Sequence, residues 1–276
     1  MNGRTLLGAF ALLVLGLLTW ELRWVLLVLF GAVVLAVALD VPITTVRRLL
    51  PLNRPTALVG VLLVLVLVGG LLAQLLLPEL LDQFNQLTSL LPALAERLSS
   101  LARQISWLPS LERQLMELGT WDRLQPLGSQ LLGFAGGAAS TTVQLVLMAL
   151  LAILLALDPR SHQKVVVALT PGFWRPQMGL LLSECRQALG GWLAGMTLSA
   201  ASVFLLTWAG LALLGVPLAL LSALVCGLLT FVPTIGPSAA TLLPLAVALL
   251  VSPAKLVQVL VLRLLLQNAE AFLLTP

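Results

Sequence analysis

The sequence predicts an all-α fold: a polytopic transmembrane helical protein with an extracytoplasmic amphipathic helical region and a Pro/Gly-broken membrane hairpin. Three observations carry this expectation. Hydrophobic residues make up 60% of the 276 positions and charged ones 9%, against roughly 45–50% and roughly 25% in ordinary soluble domains. Residues 187–254 contain no Asp, Glu, Lys or Arg, so a helix formed there is apolar on every side and its solvent is lipid. Inside that stretch Gly215 to Pro237 reads GVPLALLSALVCGLLTFVPTIGP, two short apolar runs punctuated by proline and glycine.

Fifteen Lys and Arg against eleven Asp and Glu leave a formal charge of +4. The excess lies in short loops, where it records membrane topology and not a nucleic-acid partner. Cys185 and Cys226 have no CxxC spacing and read as free thiols, not as a disulfide or metal pair. His162 is the single histidine, and without a second imidazole no metal site and no cofactor are predicted. The absence of HExxH and GxSxG motifs argues against an intramembrane enzyme, and the absence of GxxxxGK[ST] against nucleotide hydrolysis by this chain.

Taken in order, Leu6–Trp20 and Trp24–Leu39 read as a membrane hairpin. The apolar material is longer than a signal-peptide core and is interrupted by Glu21 and Arg23. Arg47, Arg48 and Arg54 in the following DVPITTVRRLLPLNRP place that loop, and with it the N-terminus, on the cytoplasmic side of the inner (plasma) membrane. Thr56–Leu77 carries no charge and is long enough to cross at about 1.5 Å per residue, which closes an N-terminal transmembrane region over residues 1–78.

Residues 79–133 form the predicted extracytoplasmic region. Leu80, Phe84, Leu87, Leu91, Leu94, Leu98, Leu101, Ile105 and Leu108 follow one another at alternating steps of four and three, the seam of helices that pack on a partner. Pro92 and Pro109 interrupt the seam, which predicts two or three helices and not one continuous rod. The partner is either the rest of the chain, as a helical cap, or neighbouring subunits around an oligomer axis.

Residues 134–276 form the C-terminal transmembrane region. Ala138–Leu157 is a fourth helix ended by Asp158-Pro159-Arg160, and Arg160, Lys164, Arg175 and Arg186 mark the next segment as cytoplasmic. Thr170-Pro171-Gly172 makes a turn, and an interfacial helix after Pro176 leads into helix five, Gln187–Leu214. Gly191, Gly195 and Ser199 stand at steps of four on it, the small-xxx-small pattern of a close helix crossing, either within the chain or in a dimer. Thr197, Ser202 and Thr207 carry hydroxyls that can bond back to helical carbonyls.

The broken hairpin occupies residues 215–252. Pro217–Val232 and Ser238–Ser252 are both shorter than the roughly 20 residues of a comfortable crossing, and Pro233-Thr234-Ile235-Gly236-Pro237 separates them. Irregular backbone at membrane depth is tolerated where protein buries it or a wet cavity faces it. Thr230, Pro233, Thr234, Gly236 and Pro237 are therefore candidate transport or gating residues, the plainer alternative being a tight turn without substrate contact. Downstream, Arg263, Gln267 and Glu270 share one helix face, the outer two about 10 Å apart. Such residues face a bundle interior or an aqueous cavity, or else snorkel to an interface.

On these residues the chain resembles the autoinducer-2 exporter family, the PerM-like permeases. The similarity covers the order of elements and is most specific at LGVPLALLSALVCGLLTFVPTIGP, with its Gly-Val-Pro entry and Pro-x-Ile-Gly-Pro break. Gln267, Glu270 and Pro276 fit the family's Q-x-x-E-x-x-x-x-x-P element. The chain departs from the pattern at Thr230 and Thr234, where Asn and Tyr are common, and at Ala271-Phe272, where Gly-Asn is. Relatives continue into further helices beyond Pro276, so the resemblance implies a C-terminally truncated chain. It also implies a secondary transporter that exports autoinducer-2 or exchanges sodium or lithium for protons, assembled as a homo-oligomer, a pentamer. The expected partners are the lipid bilayer and a small solute or monovalent cation. The competing class is a non-transporting membrane scaffold that assembles through its extracytoplasmic helices.

Overall fold

The structure, a computed structural model, describes residues 14, 16–104, 139–232 and 235–273. All regular structure among them is helical, and three of the helices are long and apolar enough to cross a membrane, or four if a pair bent by 90° counts as one span. With large side chains such as Trp24, Phe30, Val66 and Leu67 facing outward, the protein is an all-α polytopic membrane protein. The chain divides into two compact units, residues 1–64 with 133–191 and residues 65–132 with 192–276.

The first unit holds α1 (Arg23–Leu49), the start of α2 (Arg54–Gln104), α3 (Ala139–Leu157), α4 (Pro159–Leu169), a 3-10 turn (Gly172–Trp174) and the first half of α5 (Arg175–Leu213). The reversal expected at Glu21–Arg23 is not formed. Residues 16–21 are helical, and the Leu22 and Leu26 N–H groups donate to the Leu18 and Leu22 carbonyls, which carries the helix on into α1. Nothing at 21–23 breaks a helix, and the Arg23 guanidinium lies 4.6 Å from the Trp20 ring centroid, an attraction that lowers the cost of a charge there.

α1 packs along α3 through small residues. Ala32 and Ala36 on one helix and Ala152 and Ala156 on the other, each pair four apart, are buried, the spacing that lets membrane helices approach closely. Ile43, Ala57, Leu58 and Val61 extend this core toward the start of α2. At one end Asp40 ties the unit together: Arg54 Nη2 donates to its Oδ1 at 2.5 Å and Arg186 to its Oδ2, while Arg54 Nε donates to the Ala156 carbonyl at 2.8 Å, satisfying one of the free C-terminal carbonyls of α3. Asp158 then caps α4, accepting from the Ser161 N–H at 3.2 Å with Pro159 in the first turn. Those bonds from Ser161 hold the Asp158 carboxyl below its ordinary pKa.

The second unit holds the remainder of α2 and α5 together with α6 (Ala219–Leu229), α7 (Ile235–Val251) and α8 (Pro253–Leu273). α2 corrects the expected break at Pro92: it runs unbroken through Pro78 and Pro92 to Gln104, while Pro109 lies outside the described residues. A proline removes one helical hydrogen bond and kinks the rod without having to end it. The apolar seam supplies the compensation. Leu80, Phe84, Leu87 and Leu91 are half-buried and Leu94 is buried, whereas Leu81 off the seam is exposed. Leu87 of the seam, and Leu90 beside it, pack against a core of Leu211, Val216, Leu218, Val247 and Val259, so this part of the helix is covered within the chain. Ile105 and Leu108 lie outside the described residues.

α5 ends in a Schellman motif. The Val216 N–H donates to the Leu211 carbonyl and the Gly215 N–H to that of Ala212, both at 3.0 Å, with Gly215 at φ +65° and the Leu211 and Val216 side chains buried in the same cluster. Leu218 follows at φ 57°, a conformation that costs a non-glycine residue about 1–2 kcal/mol and is held by its burial in that core. Leu218 cannot cap α6, and a distant side chain does so instead: Gln83 Oε1 on α2 accepts from the Leu221 N–H at 2.9 Å. Eleven and seventeen residues long, α6 and α7 reach only about 16 and 25 Å, short of the roughly 30 Å hydrocarbon core.

Two stability tests follow. Asp40→Asn leaves two guanidinium groups without their carboxylate and should cost about 1–3 kcal/mol, below the roughly 3–5 kcal/mol of a broken fully buried pair because all three groups keep some solvent contact; in an SDS unfolding titration its effect should be far from additive with Arg186→Gln. At Gly236 an added Cβ would sit 1.8 Å from the Leu229 carbonyl oxygen, so Gly236→Ala should destabilise by about 3 kcal/mol or more. A melting temperature equal to wild type would disprove that tight turn.

Candidate functional site

Between the two short helices the chain turns on its own backbone. The Phe231, Val232 and Gly236 N–H groups donate to the Leu228, Leu229 and Val232 carbonyls at 3.2, 2.9 and 2.9 Å. Thr230 is buried, and its hydroxyl donates to the Cys226 carbonyl at 3.0 Å, one turn back in its own helix. Pro233 and Thr234 lie outside the described residues.

α7 brings two prolines into this region, with a chemical consequence. Pro244 has no N–H to offer the Ala240 carbonyl, and the buried Cys226 thiol donates to that oxygen instead, at 3.3 Å. The Pro237 carbonyl gathers a larger set: Thr241 Oγ1 donates at 2.8 Å, Gln267 Nε2 at 3.4 Å and Arg263 Nη2 at 3.5 Å. Arg263 and Gln267 thus both face the start of α7.

Arg263 is 3% exposed. Its Nε donates to Thr241 Oγ1 at 3.3 Å and its Nη1 to Thr207 Oγ1 at 3.2 Å, so every partner among the described residues is a neutral oxygen. One turn beyond Gln267, the Glu270 carboxylate accepts from the Ser199 hydroxyl at 2.5 Å. Ser199 and Thr207 are about 12 Å apart along α5, and Glu270 and Arg263 about 10 Å apart along α8. The matched spacing, with the order reversed, makes the facing stretches of α5 and α8 antiparallel. Lys255 near the start of α8 extends the pairing by donating its ammonium to the Leu214 carbonyl at the end of α5.

The result is a line of polar atoms through an otherwise apolar unit, running from Thr207, Thr241 and Arg263 past the Pro237 carbonyl and Gln267 to Ser199 and Glu270. It combines a fixed cation, an ionisable carboxylate, hydroxyls and a carbonyl of the broken element. Among the described residues no three His, Cys, Asp or Glu side chains converge. The oxygen donors suit a proton or a hard cation, and the guanidinium and amide suit a polar solute.

Of the residues singled out from sequence, Thr230, Gly236, Pro237, Arg263, Gln267 and Glu270 all lie in the second unit, and Arg263 and Gln267 touch Pro237. Ser199, read as a packing residue, is the partner of Glu270. Among the described residues no other element comes within 4 Å of where a side chain at Gly191 or Gly195 would begin, whereas adjacent Gly190 faces Val37 and Val41. Thr197 bonds back to the Leu193 carbonyl at 2.8 Å as its type suggests, but Thr207, grouped with it, holds Arg263. Sequence reasoning missed Thr207, Thr241 and Gln83, and also Asp40. Each is an ordinary polar residue until the partner helix is known.

A search of curated proteins gives no match to the chain. The family model for AI-2E family transporters matches residues 7–276. The chain therefore belongs to the AI-2E transporter family, and it is an integral membrane permease.

Proposed function

We propose that this permease is a secondary transporter that exports a small solute such as autoinducer-2, or exchanges sodium or lithium for protons, along the Arg263–Gln267–Glu270 line beside the broken α6–α7 element. The observation that carries the reading is Arg263: a guanidinium 3% exposed in an apolar unit is expensive, and such residues in membrane segments mark substrate or ion pathways. Two short helices meeting at a Pro/Gly break are the other recurrent mark of a transporter site. Glu270 is the coupling carboxylate in this reading, hydrogen-bonded by Ser199 and able to exchange a proton or accept a cation. Arg263 and Gln267 hold the Pro237 carbonyl and so set the position of the gate.

The protein works in this proposal as a homo-oligomer, a pentamer as its family resemblance implies, in the plasma membrane. The end carrying Arg48, Arg54 and Arg186 is cytoplasmic by the positive-inside rule. The scaffold reading has less support, because Leu87 and Leu94 of the seam are covered within the chain itself.

Reconstituted into proteoliposomes with candidate solutes and with sodium or lithium gradients, the protein should lose at least about tenfold in flux, together with its pH dependence, on Glu270→Gln, because that change removes the titrating group and keeps its shape. Flux and pH profile both unchanged would remove Glu270 from the mechanism.

A further inference from the structure

The first unit contains a second polar centre that the transport line does not use, flanked by two cavities. One, of about 490 Å³, has an apolar wall that includes Leu29, Val33 and Val37 of α1, Val166 of α4 and Leu182 of α5. The other, of about 430 Å³, is lined by Thr44, Thr45, Arg48, Gln163 and Gln187. Val37, Asp40, Gln163 and Arg186 line both, so the cavities adjoin at the Asp40–Arg186 ion pair. Each has the size of a small-molecule site. Together they offer an apolar slot joined end-on to a polar bowl, the shape of an amphiphile.

Charge fixes the kind of amphiphile. Asp40 is shared by Arg54 and Arg186, one carboxylate against two guanidinium groups, and Arg48 adds a third cation at the bowl. Among the described residues Arg48 makes no hydrogen bond or ion pair that would neutralise it, and it is exposed. The bowl, lined by Asp40, Arg48 and Arg186, therefore carries an excess of one positive charge, with Arg54 behind the carboxylate on the slot side, and Gln163 adds an amide donor; the Thr44 and Thr45 hydroxyls are already spent on the carbonyls of Asp40 and Val41. Position agrees with charge: α4 leaves α3 at 90° and carries Arg160 and Lys164 beside exposed Val165, Val166 and Leu169, the pattern of a helix lying in the headgroup layer. The bowl is then at headgroup depth, and the slot, which follows α1 from Asp40 back to Leu29 over about 16 Å, enters the acyl layer.

We propose that this pair of cavities is a binding site for a phospholipid with a net negative headgroup, its phosphate held by Arg48 and the outer face of Arg186 and one acyl chain laid in the slot. Basic pockets between membrane helices hold anionic headgroups by this same combination. The proposal stands independently of the transport reading.

The test is a lipid titration of the purified full chain by native mass spectrometry, with phosphatidylglycerol and phosphatidylcholine of identical acyl chains. Phosphatidylglycerol should bind at least about fivefold more tightly, the effect of roughly one basic residue at a membrane surface, and Arg48→Gln should abolish that preference while leaving phosphatidylcholine binding unchanged. Arg48 is exposed and has no partner among the described residues, so the variant should melt as wild type does. Val33→Trp, which fills the slot, should weaken both lipids and keep their ratio. Equal binding of the two lipids by the wild type, or a preference that survives Arg48→Gln, would overturn the proposal. So would displacement of phosphatidylglycerol by equimolar glycerol phosphate, which would make the site one for a free anion, or copies of the chain that dimerise through this face and exclude lipid.

Discussion

Hydrocarbon offers no hydrogen bonds, and every break in a helix placed there frees backbone groups that must find partners inside the protein. Several polar side chains among the described residues serve that need. Cys226 takes the Ala240 carbonyl that Pro244 leaves free; Gln83 takes the Leu221 N–H at the start of α6; Lys255 and Arg54 take carbonyls at the ends of α5 and α3; Arg263 and Gln267 converge on Pro237. In a chain with 9% charged residues, few charges remain for any other purpose. Glu270 and the carboxylate of Asp40 are among those whose bonds do not go to the backbone.

The two units use charge differently. In the first, the Asp40 centre binds Arg54 and Arg186 from segments more than a hundred residues apart, and so holds together the two basic stretches that the positive-inside rule assigns to one side. In the second, charge is stretched along α8, with a guanidinium at one end and a carboxylate two turns away, each met by a hydroxyl of α5. Separated charges that are hydrogen-bonded to neutral oxygens remain open to exchange with a passing ion or solute, whereas a closed ion pair is a structural tie.

What could be read without coordinates follows from local rules. The helical class, the ends of α3 and the turn at Thr170–Gly172, the shortness of α6 and α7 and the shared face of Arg263, Gln267 and Glu270 rest on composition, proline and the 3.6-residue period. The misreadings have a common cause. At Glu21–Arg23 and at Pro92 a charge or a proline suggests a helix end, but a helix ends only where stopping costs less than continuing, and a long apolar face with a neighbour to pack on makes continuing cheaper. The small-residue pattern at Gly191, Gly195 and Ser199 shows the same limit: small residues permit a close crossing, and only a partner makes one, as Ala32 and Ala36 do with Ala152 and Ala156.

By itself, then, the sequence determined that this protein is a bundle of apolar helices in lipid, where its helices break, and which face of α8 is polar, because each is a property of neighbours within a few turns. Tertiary structure alone decided that Ser199 meets Glu270, that Thr207 and Thr241 hold Arg263, and that Asp40 joins Arg54 to Arg186. Those pairs lie from 14 to 146 residues apart in the chain, and a polar side chain in a sequence carries no record of which distant helix will supply its partner.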